Sequence, residues 1–405
     1  MPYTPPKKIL EKYADVMVNF ALGFGKGIKK GDVVMVWSPE VAKPLYHEIL
    51  KAIWKAGGHV IGRYTPDSER RFPTNKDFYN IANIDQLKFF PAKLMKAQIN
   101  TIDHQLGVDA DVDPHSLKGI DAKKIMTAQK AKKPYHDWWQ IKENSGKLTW
   151  TICLYGTEGQ AKEAGLSIKQ YWSEIIKACF LDKKDPIKEW KKILRENEIN
   201  RKKLSDLRIE KVHIRGPDAD LWIKIGKDRI WQISRGHNIP SYEIYTSPDW
   251  RGTNGWIRFN KPLYRYGNLI TGIELWFKNG RVIRSKAKKN EKVLKAMIAT
   301  KNADKIGEYS LTDGRFSRIR KFMAETLFDE NVGGPHGNTH LALGASYHDC
   351  YRGNIKKVSK SKLIKLGFND SVVHTDIMST SPRTVTAYLP SGKTKVIYKN
   401  GQFTL

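Results

Sequence analysis

The stretch from Gly31 to Tyr64 constrains the fold more than any other part of the chain. Val33-Val-Met-Val-Trp37 is a short β-branched run bounded by Gly31-Asp32 and Ser38-Pro39, so it reads as a strand. Pro44 to Ala56 has the pattern of a helix, and Gly57-Gly58 leads into a second strand, His59-Val-Ile-Gly-Arg-Tyr64. Together these make a βαβ unit. An amphipathic helix over Pro6 to Leu22 precedes it, with Ile9, Leu10, Tyr13, Val16, Met17 and Phe20 at helical spacing. Strand-like text at Ile99 to Gln105 and Leu148 to Leu154, and helical text near Ile84 to Ala97 and Ile168 to Ala178, continue the alternation expected of a mostly parallel sheet covered by helices.

The character changes after Lys183 to Lys203, a charged stretch with a helical pattern that could bridge two domains. Beyond it Leu207 to Ile214, Ala219 to Ile225, Asp228 to Ser234, Gly255 to Phe259, Leu269 to Phe277, Gly280 to Ser285 and Lys395 to Tyr398 all resemble strands. Asn279-Gly280 and Asn400-Gly401 supply hairpin turns. A chain of 405 residues exceeds what one core usually serves, about 250–300 residues. The expected architecture is therefore an α/β domain with a mostly parallel sheet over residues 1–200 and a β-rich α+β domain over 201–405.

With 40% hydrophobic residues the chain has ample apolar surface for two cores. Its 71 Lys and Arg against 42 Asp and Glu give a net charge of +29, a field that attracts polyanions. The lysines are scattered, however, and runs such as KKVSKSKLIK from Lys356 to Lys365 read as a solvated helix face, so a bland basic surface is favoured over a nucleic-acid footprint. Cys153, Cys179 and Cys350 are widely spaced with no CxxC, which argues against a disulfide framework or a thiolate zinc site and suggests a reducing cytoplasm. No window approaches the roughly 18 apolar residues of a membrane span, and MPYTPPKKILEKYADVM lacks the apolar run of a signal peptide.

Two motifs are incomplete. Gly23-Phe-Gly-Lys-Gly27 precedes the first strand and is followed by no Gly-Lys-Ser/Thr, so it reads as a turn rather than a phosphate loop. Asp109-Ala-Asp-Val-Asp113 begins like a calcium loop, but Pro114 and Ile120 stand where Gly and Glu are required. It reads as a solvated loop at a strand end.

The histidines are more informative. Of the 11 in the chain, His336, His340, His348 and His374 are crowded among acids in one short stretch, which a packed core does not ask for. In Val372-Val-His-Thr-Asp-Ile377 the strand period of two puts His374 and Asp376 on one face. Phe328-Asp-Glu-Asn331 and His340-Leu-Ala-Leu-Gly-Ala-Ser-Tyr347 add a carboxylate, an imidazole and a phenol beside small residues that let the backbone crowd round a site. Glu243 and Glu308 lie between apolar neighbours, and such acids are seldom buried unless paired or metal-bound.

These segments, in this order, resemble the thermophilic aminopeptidase family of metallopeptidases. In the N-terminal half YADVMVNFALGFGKGIKKGDVVMVW and GTEGQAKEAGLSIKQYWSEIIKACFLD carry the likeness; in the C-terminal half NIPSYEIYTSPD, IGEYSL, LFDEN, HLALGASY and HTDIM do. The resemblance implies metal ligation by Glu243, Glu308, Glu330, His340, His374 and Asp376, with Tyr347 as an active-site tyrosine. FDENVGGPHGNTH is longer than its counterparts, which leaves His336 as a substitute for Glu330. It also implies a homodimer enclosing its active sites and favouring short peptides.

The residues agree with that chemistry. Two divalent ions balance the four carboxylates of Glu243, Glu308, Glu330 and Asp376, and a thiolate-free oxygen and imidazole set suits zinc, cobalt or manganese. Such a pair can share a hydroxide and polarise the scissile carbonyl, with Glu308, or else Glu243, moving the proton and Tyr347 donating to the oxyanion. The leading expectation is thus a dinuclear aminopeptidase acting on peptide N-termini, with 201–405 as its catalytic domain. Two alternatives stand beside it: a mononuclear iron ring-cleaving dioxygenase needing only Glu243, His374 and Asp376, and a nucleic-acid-binding protein using the charge and Trp222, Trp231, Trp250 and Trp256.

Overall fold

In the computed structural model, which describes residues 3–405, the β-branched run becomes the strand Val33–Pro39. It pairs in parallel with His59–Thr65 on one side and His104–Asp109 on the other. Thr149–Leu154 and Asn238–Ile239 extend the same sheet, also in parallel. Val34, Val36, Leu106, Val108 and Leu154 are completely buried, as strands covered on both faces require. The helix Lys43–Lys55 is the first crossover and buries Leu45, Ile49 and Ile53. These elements belong to one compact unit formed by the chain up to Ile193 with Ser234–Ser241 and Lys321–Phe328.

Within this unit the expected strand at Ile99 to Gln105 divides. The helix Ala92–Thr101 carries through Ile99, which packs with Met35, Ile102 and Leu148, and the strand starts only at His104. Asp103 makes the junction: its amide donates to the Val33 carbonyl and its carboxylate accepts the Val33 amide at 2.9 Å. The glycines of Gly23 to Gly27 form a turn in which Gly23, Phe24, Gly25 and Gly27 all have positive φ, and the acidic run from Asp109 leaves the end of its strand as a loop.

The second unit comprises Leu194–Ile233, Tyr242–Arg320 and Asp329–Leu405, and its main sheets are antiparallel. The larger has eight strands, with Ala219–Lys224, Lys211–Gly216 and Thr384–Tyr388 at its centre. Asn279 and Gly280, and again Asn400 and Gly401, both have positive φ, the geometry of a two-residue hairpin turn whose twist matches its strands. The expected strand at Leu269 to Phe277 is two, Asn268–Ile270 and Glu274–Lys278, separated where Gly272 turns to φ +61. Of Asp228 to Ser234 only Gln232–Ile233 forms a strand, with an isolated bridge from Arg229 to Tyr351 before it.

The smaller sheet has five strands in the order His374–Ser379, Asn338–Gly344, Ile306–Thr312, Glu243–Thr246, Gln232–Ile233. Every residue of Asn338–Gly344, Ile306–Thr312 and Glu243–Thr246 is buried, so none shows the wet and dry alternation that marks a surface strand. The chain therefore joins a parallel α/β region to a region rich in antiparallel sheet.

Candidate metal centre

Cross-strand register gathers the acids and imidazoles on one face of the five-stranded sheet. Directly opposed residues of an antiparallel pair share a face, as do residues two apart. Glu243 opposes Thr312, which shares its face with Ser310 and Glu308. Ser310 opposes His340, and Glu308 opposes Ala342. Across the next pairing Ala342 faces Asp376 and Gly344 faces His374. Glu243, Glu308, His340, His374 and Asp376 thus point to the same side from four adjacent strands.

Small residues make room for them. Ala342 and Gly344 lie opposite the Asp376 and His374 positions, and Gly344 has φ +110, where an added Cβ would stand 1.9 Å from the Val373 carbonyl oxygen. A bulge between Ile306 and Glu308 takes up Gly307, whose Cβ would meet the Ala345 carbonyl at 2.1 Å. The backbone closes on itself at both glycines, and the bulge sets which face Glu308 takes.

Glu330 reaches the same place from a loop after the short helix Thr326–Asp329. Its neighbour Asn331 accepts the Tyr242 amide at 2.7 Å, and Asn338 donates to the Asp329 carbonyl at 2.8 Å, which ties the loop to the sheet. The donor atoms form three groups of mutually close ligands: Glu243, Glu308 and His340; Glu308, His374 and Asp376; Glu330, His340 and Asp376. Glu308 and Asp376 each belong to two. His336, the substitute suggested by the long segment, joins none of these groups, and Tyr398 hydroxyl donates to its carbonyl oxygen at 3.4 Å.

Hydrogen bonds outside the cluster orient the rings. His374 Nδ1 lies 2.8 Å from the Ala345 carbonyl, which can only accept, so that nitrogen carries a hydrogen and Nε2 is turned inward. Nε2 stands 3.1 Å from Glu308 Oε2 and 3.5 Å from Asp376 Oδ1. His340 Nε2 faces Glu243, Glu308 and Asp376 oxygens at 3.3, 3.7 and 3.8 Å. Ser310 Oγ donates to Glu243 Oε2 at 2.8 Å. Ser310 and the Ala345 carbonyl were not signalled by sequence, because each acts through a neighbour brought by the fold.

Burial pushes the Glu243 carboxyl up to about 7, with Glu308 and Asp376 adding to the effect against His340 and Ser310. Burial alone would lower His340, but its hydrogen bond to Glu308 and the charges of Glu243, Glu308 and Asp376 outweigh it and raise the ring to about 9. Burial would raise Asp376; the His374 and His340 cations and Arg265 instead draw it down to about 2. Burial, and after it Glu308, Asp376, Glu330 and Glu243, raise the Tyr347 phenol well above its ordinary range, so it keeps its proton. Tyr347 packs against the His374 ring at 4.8 Å, and its amide donates to Ser247 Oγ at 2.8 Å.

The donor set fits divalent cations. His374 Nε2, His340 Nδ1 and Asp376 Oδ1 are buried and make no hydrogen bond, although His374 Nε2 and Asp376 Oδ1 are within ion-pair distance of opposite partners. A buried polar atom left in that state is costly unless something positive completes it. Four carboxylates and two imidazoles, with no thiolate among them, are a hard and borderline set suited to metals such as zinc, cobalt or manganese.

A buried cluster of inward-facing carboxylates and imidazoles on a sheet is a group that can hold divalent cations. The chain belongs to the thermophilic metalloprotease (M29) family, whose profile matches residues 6–403. It is 28% identical over 418 aligned residues to aminopeptidase AmpS of Bacillus subtilis, covering 97% of this chain and 98% of that one. It is 26% identical to aminopeptidase T of Thermus thermophilus, covering 92% of each. The solved structure of wild-type AmpT from Thermus thermophilus superposes with a TM-score of 0.80 at 23% identity, covering 98% of this chain and 100% of that one, which shows the shared fold. The chain is thus an enzyme, a metallopeptidase.

Proposed function

We propose that this metallopeptidase is an aminopeptidase that removes N-terminal residues from peptides at a dinuclear centre held by Glu243, Glu308, Glu330, His340, His374 and Asp376. The observation that carries the reading is the interlocking of three ligand groups through Glu308 and Asp376, carboxylates able to serve two ions at once. When bound, two divalent ions, zinc, cobalt or manganese, supply Lewis acidity toward the scissile carbonyl and acidify water toward neutrality.

The chain's own residues do the rest. With two cations bound the four carboxylates are balanced, and a carboxylate oxygen left facing the substrate accepts from its α-ammonium group, which selects for a free N-terminus. Glu308, buried at the centre of the group, takes the proton of the attacking water and hands it to the leaving amine; Glu243 is the second candidate. Tyr347, still protonated at neutral pH, donates to the oxyanion as it develops. His374 is held by Ala345 in the tautomer that leaves Nε2 free for a cation.

In this reading residues 1–200 form an α/β domain and 201–405 the catalytic domain, and the enzyme works as a cytoplasmic homodimer on short peptides. Among the described residues no helix is long and apolar enough to cross a membrane. A mononuclear dioxygenase would have little use for Glu330 and His340, which the fold brings into the cluster, and a nucleic-acid-binding role leaves the whole cluster unexplained. The test is to strip the protein, reload it with zinc, cobalt, manganese or ferrous iron, and assay aminoacyl-p-nitroanilides and short peptides while following oxygen on a dihydroxypyridine. Peptide hydrolysis without oxygen uptake is expected; uptake with iron alone would overturn the proposal.

A further inference from the structure

The second unit holds a cavity of about 610 Å³ that none of the candidate metal-binding residues lines. Its wall includes the turn Gly226-Lys-Asp-Arg229, in which Gly226 has φ +97 and its carbonyl accepts the Arg229 amide. Arg229 is only 4% exposed. Its Nε donates to the Ser247 carbonyl at 2.6 Å and an Nη to the Leu366 carbonyl at 3.0 Å, while the guanidinium lies 3.5 Å from the centre of the Phe368 ring. These contacts hold the group but bring no negative charge, and among the described residues Arg229 makes no ion pair. Burial lowers its pKa to about 10. Asp249 and Asp228 act on it only from a distance and do not offset that burial, and Arg229 lines a cavity in which an anion could sit directly against it.

The rest of the wall is unbalanced in the same sense. Asp249 is already taken by Lys224 at 3.0 Å and Arg251 at 2.7 Å. Lys211, Lys227, Arg229 and Lys365 then face only Glu210 and Asp228, so the six basic residues of the wall outnumber the acids by three. A monovalent carboxylate leaves most of that excess unanswered, whereas a phosphate dianion answers most of it and accepts from guanidinium and ammonium groups together. The cavity is far larger than one phosphate needs and includes Leu366 and the edge of Trp222, whose ring carries His213 stacked at 3.9 Å and the Lys211 ammonium at 4.7 Å.

We propose that this cavity binds a small phosphorylated molecule, its phosphate taken by Arg229, Lys227 and Lys365 and its organic part lying against Trp222 and Leu366. Lys227 and Lys365 are exposed, so a K227E/K365E variant removes the charge without disturbing a core, whereas Arg229 is too buried to substitute safely. Isothermal titration of the metal-loaded enzyme at fixed ionic strength would use inorganic phosphate, phenyl phosphate, benzoate and a long single-stranded DNA. Phenyl phosphate is expected to bind best and benzoate worst, with the phosphate affinities falling at least tenfold in the variant while circular dichroism is unchanged. Equal binding of inorganic and phenyl phosphate would reduce the site to one for free phosphate and overturn the organic part of the proposal. Affinity unchanged in the variant would place the anion at the metal centre, and preference for long single-stranded DNA over both phosphates would make the cavity part of a nucleic-acid track. Either result would overturn the assignment, as would no binding.

Discussion

The inward nitrogen of His374 stands 3.1 Å from Glu308 Oε2, and because its other nitrogen is committed to the Ala345 carbonyl, the two face each other as lone pair against lone pair unless something positive lies between them. A proton can fill that role in the free protein. A metal ion would fill it better, because Asp376 lies in the same group of mutually close donor atoms.

The number of ions is checked at His340, which belongs to two of the three ligand groups but not to the one containing His374. Elemental analysis after dialysis should find two divalent ions per chain in the parent protein and close to one in His340→Ala. An unchanged count would show that His340 holds no metal.

Glu308→Gln preserves size and most packing while removing a charge and the proposed proton carrier. Turnover should fall by roughly 10²–10⁴, the range of a lost general acid or base, with the circular dichroism spectrum intact. Undiminished turnover would mean that another acid moves the proton.

Metal binding should release protons. Glu243 sits up at about 7 and His340 at about 9 in the free site, so at neutral pH His340 holds a proton and Glu243 holds one part of the time. A cation must displace both, and also the proton that, despite burial, Asp376 and Glu308 hold on His374, so affinity should rise with pH through 9 and be lost progressively as pH falls through 7. Titration calorimetry in buffers of different ionisation enthalpy measures the release directly; a pH-independent affinity with no released proton contradicts the assigned ligands.

Gly344→Ala tests the floor beneath the cluster. At φ +110 with the Val373 oxygen 1.9 Å from the new Cβ, the substitution should cost more than about 4 kcal/mol and be accompanied by loss of metal. Gly392, at φ +77 with nothing within 4 Å, is the control and should lose only about 1 kcal/mol on the same change. Urea denaturation of both variants gives the comparison, and similar losses at the two sites would show that the backbone approach at Gly344 is not tight.

What could be read in the sequence follows from how local each signal is. The pair His374 and Asp376 was legible because period two needs only one strand, and the turns at Asn279-Gly280 and Asn400-Gly401 because two residues dictate their φ. The parallel sheet was legible through its first βαβ unit. The strands Ile306–Thr312 and Asn338–Gly344 were visible only as motifs, since burial on both faces erases alternation. Ile99 misled for a related reason: a β-branched residue on the buried face of a helix looks like one in a strand. Ser310 and Ala345 contribute a hydroxyl and a main-chain oxygen whose use depends wholly on register.

The order of the strands has a consequence for how the protein is made. Two of the three ligand groups need Asp376, and the third joins Glu243 to Glu308 and His340 far along the chain. A ribosome-bound chain that has not yet delivered the strand His374–Ser379 cannot assemble the complete centre. If these groups hold metal, the complete centre would be filled only once that strand has joined the sheet, and the free energy of capture would be added to the stability of the finished enzyme alone.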